Sequence, residues 1–152
     1  MGHEFQADGR VHGVVFGCRR ADGRWLMIRR SRHVALPGKV CFPGGGANAG
    51  EPLEGACARE AREELGVCIR PVRRVWRHEF EGRRLTLFGW LAELEEGAEF
   101  RLDPMEVEEV LWLTREEALA HPDGLPTNGS FIEALEGALH GVGDAVTEVT
   151  GP

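Results

Sequence analysis

The 152-residue sequence contains no apolar run that approaches the roughly 20 residues needed to cross a bilayer. Its first residues, MGHEFQADGR, lack the apolar stretch of a secretory signal. The expectation is a cytoplasmic protein without a membrane partner. Cys18, Cys41, Cys57 and Cys68 form no CxxC pair and no Cys/His cluster, so disulfide and zinc frameworks find no support in their spacing. They read as small core residues. Positive charge is scarce: 18 Lys and Arg stand against 25 Asp and Glu, a formal charge of −7. That balance argues against a nucleic-acid polymer as partner, because such binding draws on phosphate neutralisation by a basic surface. A small anion remains admissible where local arginines and metal ions oppose the overall field. Repeats and low-complexity linkers are absent too, and 152 residues with 42% hydrophobic content suit one domain over residues 1–152. Monomer and homodimer both stay open.

What the chain does have is acid concentrated in one helix. Pro52 suits a first helical position, residues 53–65 are good helix formers, and Gly66 is a stop. At 3.6 residues per turn, Glu60, Glu63 and Glu64 stand at i, i+3 and i+4 on one face of the last turns. Acids on a helix more often form a solvated face, but here like charges repel and sit where the macrodipole favours cations. A divalent cation resolves both conflicts. Oxygen-only ligands suit hard ions, Mg²⁺ or Mn²⁺ first and Ca²⁺ as well, and disfavour zinc.

The spacing carries more than the charge. Gly45, five residues, Glu51, seven residues, Arg59-Glu60-Ala61, one residue, Glu63-Glu64, one residue and Gly66-Val67 resembles the complete Nudix box, the loop-helix-loop signature of the Nudix hydrolases. Small Ala61 stands where the family usually has a larger aliphatic residue. The resemblance implies an α/β/α sandwich with a mixed sheet over nearly the whole chain. It also implies a metal-dependent pyrophosphohydrolase that splits a nucleoside diphosphate linked to another group. By the same resemblance Glu63 and Glu64 are metal ligands, Glu60 is a ligand or the base that orients water, and the carbonyl of Gly44 completes the metal site. Arg59 and Glu51 become a supporting ion pair that holds the helix face. Glu106 is the candidate for an additional ligand of the MutT type, with Glu108 and Glu109 as rivals.

The rest of the chain alternates between strand-like and helical patterns. Residues 11–18, 25–28, 67–76, 85–94 and 107–113 read as strands, with Glu81-Gly82 as the turn of an antiparallel pair. Thr114 to Glu117 offers a capping box, residues 130–139 read as a second long helix, and the tail after Gly141 is expected to fray. Arg70, Arg73, Arg74 and Arg77 are solvent-facing strand residues or phosphate contacts. Asn128 resembles the purine-reading Asn of MutT-type members, or else caps the helix. This favours a purine nucleoside triphosphate as substrate. Residues 26–45, with Arg30-Ser31 and Phe42-Pro43-Gly44-Gly45, partly resemble the coenzyme A diphosphatase pattern, although Ala35 stands near an expected Arg. Coenzyme A, ADP-ribose or a nucleotide sugar are therefore the alternative substrates, with Arg30 as a contact. Phe42, Trp76, Phe80 and Trp112 are core residues or stacking platforms for a base. Two other classes stay open: a nucleotide sensor without catalysis, and a diphosphate isomerase using Cys41.

Overall fold

Alternating side chains give most strands two buried faces, and that dictates the architecture. In strand β1 (Val11–Cys18), Val14, Phe16 and Cys18 enter one core while Val15 packs against another. In β2 (Trp25–Arg30), Leu26 and Ile28 join the first core, and Trp25 and Met27 the second. A sheet buried on both faces must be covered on both sides. The computed structural model describes residues 4–141 and 145–152.

The remaining elements are β3 (Val40–Cys41), β4 (Gly44–Gly46), helix α1 (Leu53–Glu60), β5 (Ile69–Phe80), β6 (Leu85–Leu94), β7 (Val107–Leu113), α2 (Arg115–Ala120), α3 (Asn128–Leu139) and β8 (Thr147–Gly151). A five-stranded sheet runs β4-β1-β6-β5-β8 and a three-stranded one β3-β2-β7. The larger sheet is mixed: β1 is parallel to β6 and β5 to β8, while β4–β1 and β6–β5 are antiparallel. Ala56, Cys57 and the following Ala61 and Leu65 fill the first core. Phe131, Ile132, Ala134 and Leu135 of α3 fill the second. The protein is thus an α/β/α sandwich with the acid helix on one side and α3 on the other.

Several expectations need correction. Pro52 is the N-cap of α1 and not its first helical residue, with ψ 137° outside helical space. The expected helix to residue 65 changes after Glu60 into one π turn, Ala61–Leu65, closed by Gly66 in the left-handed conformation at φ 67°. β5 starts at Ile69, two residues late, and continues to Phe80 through two bulges. Helix α3 begins at Asn128, before Ser130. Cys68 is exposed, while Cys18, Cys41 and Cys57 are buried as small core residues. The capping box on α2 is present in both directions: Glu117 N–H donates to Thr114 Oγ1 at 3.1 Å and Thr114 N–H to Glu117 Oε1 at 2.9 Å.

The expected fraying of the tail is also corrected. Residues 142–144 lie outside the described residues, but 147–151 form β8, which lies parallel along the edge of β5 from Trp76 to Phe80. Val149 is half-buried against the α3 core and stands in register with buried His78. A chain truncated after Gly141 opens that edge, and its melting temperature should fall by about 5 °C if the lost packing contributes roughly 2 kcal/mol. An unchanged melting curve would show that β8 adds nothing.

Candidate active site

Arg59, in the last turn of α1, gathers the acids. Its Nε donates to Glu51 Oε2 at 2.9 Å and its Nη2 to Glu51 Oε1 at 3.0 Å, a two-point pair. Nη2 also donates to the Gly46 carbonyl at 2.8 Å, so the guanidinium ties the loop after β4 to the helix. Nη1 reaches Glu60 Oε1 and Glu63 Oε2, each at 3.0 Å. The arginine's neighbours, Glu51 first, raise its pKa further, and Glu51 is held below the ordinary carboxylate range chiefly by its bond from Arg59. The Arg59–Glu51 pair expected from the sequence is therefore in place.

Glu60 and Glu64 are the inner acids. They are 1% and 6% exposed, and Glu60 Oε2 is buried without a hydrogen-bond partner. Glu60 fits there because residue 45 is glycine: a Cβ at Gly45 would stand 2.4 Å from the Glu60 carboxyl carbon. Burial raises the pKa of both. For Glu64 the neighbouring Glu60 and the charge of Glu106 add to burial, and Arg30 opposes them. Glu64 is pushed up to about 10.

The structure brings Glu60, Glu64, Glu106 and Arg30 into one electrostatic neighbourhood, together with Cys41, whose thiol burial pushes up and Arg30 draws down. Glu106 is thereby separated from its rivals. Glu109 is taken by Arg29 at 2.9 Å, and Glu108 is exposed. Gly44 lies in β4 paired with Val15, next to the glycine that cradles Glu60. Glu63 is the exception: its side chain is 50% exposed and bound to Arg59. The π turn explains why the expected three-acid face does not form. A wider turn carries i+3 away from the face of i and keeps i+4 near it. Among the described residues no three His, Cys, Asp or Glu side chains stand ready as a metal-ligand set. The donor chemistry still fits a hard divalent cation, because Arg59 is shared among Glu51, Glu60 and Glu63, and Glu60 Oε2 is left buried without a partner beside Glu64.

The expected base-contact residues are corrected. Phe42 is 4% exposed and packed edge-on against Phe131, with ring centroids 4.8 Å apart, so it is core and no platform. Trp76 is buried too. Asn128 is 4% exposed, and its Nδ2 donates to the Val40 carbonyl at 3.0 Å. Burial and the bond to Val40 turn the amide into the fold, so it presents no edge to a base, and Thr127, not Asn128, is the helix N-cap. Arg70 pairs with Glu93, and Arg74 and Arg77 lie over the Phe88 ring. Sequence reasoning missed the clamp on the box loop by Gln6, whose Nε2 donates to the Asn48 carbonyl and whose Oε1 accepts from Gly50 N–H. No local pattern announces such a contact. A cavity of about 400 Å³ lies at the β5–β6 turn between Arg10, Glu79 and Arg83, and neither Glu60 nor Glu64 lines it. The acids are a built site because of their burial and mutual geometry.

The protein is an α/β/α sandwich whose buried carboxyls lie on a helix braced by arginine. The NUDIX domain model matches residues 10–135, and the chain belongs to the Nudix family. It is 37% identical over 103 residues to the uncharacterized Nudix hydrolase YfcD of Escherichia coli (strain K12), covering 66% of this chain and 57% of YfcD. The 8-oxo-dGTP diphosphatase of Escherichia coli (strain K12) is 33% identical over 87 residues, 55% of this chain and 67% of the enzyme. The chain thus spans little more than half of YfcD. The crystal structure of a NUDIX hydrolase from Nitrosomonas europaea superposes with a TM-score of 0.76 at 17% identity, covering 94% of this chain and 78% of that one.

Replacing Arg59 by Ala leaves Glu51 and Glu60 without their partner and should destabilise the protein by about 3 kcal/mol at neutral pH. Glu51's pKa is lowered in the folded state, so its share of that stability is present above its ordinary value of 4.5 and lost as pH falls through the lowered value. Denaturant titrations should show the gap between wild type and Arg59→Ala narrowing below pH 4.5. A gap that is flat with pH would remove the Glu51 pair as its cause.

Proposed function

We propose that the chain is a divalent-metal-dependent hydrolase of phosphoanhydride bonds in a nucleoside diphosphate linked to another group. The observation that carries this reading is the buried Glu60–Glu64 pair with its orphaned oxygen, set within the family's motif. Mg²⁺ or Mn²⁺ bound there would offset the diphosphate's charge and supply Lewis-acid activation of the attacking water. Glu60, Glu63 and Glu64 would hold the ion, with Glu106 and the Gly44 carbonyl as supplementary ligands. Glu60 or Glu63 takes the water's proton. Arg59 and Glu51 keep the helix face in register with the β4 loop, and Arg30 meets the substrate's phosphates. Intact acids argue against a sensor without catalysis.

For the substrate, similarity to the 8-oxo-dGTP diphosphatase supports a purine nucleoside triphosphate. Asn128 and Phe42 lend it no support. A second reading, coenzyme A or another ADP-linked compound, is favoured by the place of Arg30 beside Glu64. A cytoplasmic monomer or homodimer acting on a small nucleotide is consistent with both. Among the described residues no helix is long and apolar enough to cross a membrane.

Incubation of the protein with nucleoside triphosphates, ADP-ribose, a nucleotide sugar and coenzyme A in Mg²⁺ should release phosphoanhydride cleavage products from at least one. Chelation should stop it. Glu64→Gln should lower turnover on the order of 100-fold or more, since even the outer partners of metal ligands contribute 10- to 100-fold. A Glu64→Gln enzyme as active as wild type would end the assignment.

The raised pKa values give an independent check. Carboxyls that are harder to ionise when folded weaken the fold as pH rises from the ordinary 4.5 towards about 10 for Glu64, and a cation relieves this. Saturating Mg²⁺ should therefore raise the melting temperature more at pH 8 than at pH 6. An equal or smaller gain at pH 8 would contradict the buried site.

A further inference from the structure

Arg10 precedes β1 and lays its side chain across the β5–β6 turn, residues 81–84. Its Nε donates to the hydroxyl of fully buried Thr86 at 2.8 Å. Its Nη2 donates to the carbonyls of Leu85 at 2.6 Å, Arg83 at 3.2 Å and Phe80 at 3.4 Å. These bonds fix the plane of the guanidinium but leave its charge standing, because every acceptor is neutral. Among the described residues Glu79 is the one carboxylate within ion-pair reach, at 3.6 Å from Nε and too far for a hydrogen bond. Nη1 has no partner there, although the side chain is only 22% exposed.

The cavity of about 400 Å³ at this turn brings Arg10 together with Arg83, Arg84, Phe80 and Thr150. The Arg83 guanidinium lies over the Phe80 ring, 5.0 Å from its centroid, and neither Arg83 nor Arg84 has a carboxylate partner among the described residues. Two acids also line the cavity. Glu79 stands between Arg10 and Arg77, and Glu81 is exposed. Three cations thus face two acids, one of them shared with a fourth arginine, in a chain whose formal charge is −7. Cations gathered against the sign of the whole protein mark a place where an anion is welcome. The guanidinium fork and a hydroxyl suit phosphate oxygens, and the volume leaves room for a small organic group besides. The place is separate from the acids: Arg10 stands four residues before Val14, the partner of Gly45, which is roughly 13 Å along the strand. We propose that this cavity is a second anion site, which takes the phosphate group of a small molecule independently of the acid site and of any metal there.

The test is calorimetric titration of the full chain with inorganic phosphate and with ribose 5-phosphate, in excess chelator so that the acids hold no cation. At least one should bind saturably, with Kd of about 1 mM or tighter. Tighter binding of the ester assigns a phosphate monoester, and equal binding assigns free phosphate. Arg83→Ala, an exposed change, should weaken binding about tenfold, and Thr150→Val, which keeps the shape and removes the hydroxyl, about threefold, both with unchanged melting temperature. Arg10→Lys should weaken it about tenfold as well, since one compact charge replaces the fork. Arg70→Ala removes the same charge elsewhere on the surface and should leave Kd within about twofold of wild type. Absence of saturable binding by both probes overturns the site. So does binding that Arg83→Ala and Thr150→Val leave unmoved, or that Arg70→Ala weakens as much as Arg83→Ala, since that would be a response to net charge alone.

Discussion

One guanidinium organises the acid side of the molecule. Arg59 spends its nitrogens on Glu51, Glu60, Glu63 and the Gly46 carbonyl, and so fixes a loop, a strand end and a helix with respect to one another. The planar fork of arginine suits that task, since Lys would offer one compact charge where several directions must be served. Three carboxylates around one cation leave surplus negative charge, and Glu64 and Glu106 stand beyond its direct reach. The brace therefore holds the acids in place without neutralising them. A fold optimised for stability alone would put an apolar residue at Glu64, because burying an uncompensated carboxyl costs more than it returns. Its presence is the mark of a site.

Backbone geometry divides the three helix acids into different roles. The π turn leaves Glu64 near Glu60 and turns Glu63 outward to Arg59. Gly45 gives Glu60 the only room its carboxyl has against β4. Both features act by placing oxygen atoms, and both sit where the helix meets the strand edge. Glu63 thus occupies an outer position, held by its ion pair to Arg59.

Much of this was legible in the chain because its signals are local. The strands over 11–18, 85–94 and 107–113 follow from alternation that one face or two faces of burial enforce, and the Thr114–Glu117 box is a four-residue motif. The Arg59–Glu51 pair came with the box's spacing, while Glu106 was a candidate from its place before the 107–113 strand. What failed depends on distant partners. Asn128 is buried with its amide bonded to Val40, 88 residues away, and Phe42 is claimed by Phe131. Strand β8 exists because β5 offers an open edge, and nothing in residues 147–151 alone marks them as paired. The π turn escaped because residues 53–65 look uniformly helical by propensity, which is blind to one extra residue per turn.

Two arginines meet the acids from different directions, and their difference matters for function. Arg59 is bound by fixed carboxylates and a carbonyl, so a ligand has nothing to gain from it without breaking the brace. Arg30 donates to the Ala35 carbonyl, bonds the Cys41 thiol and opposes Glu64 through space. Charge at the acids and the backbone of the 31–39 connection are therefore linked through one side chain, which bonds the Ala35 carbonyl and acts on both Cys41 and Glu64.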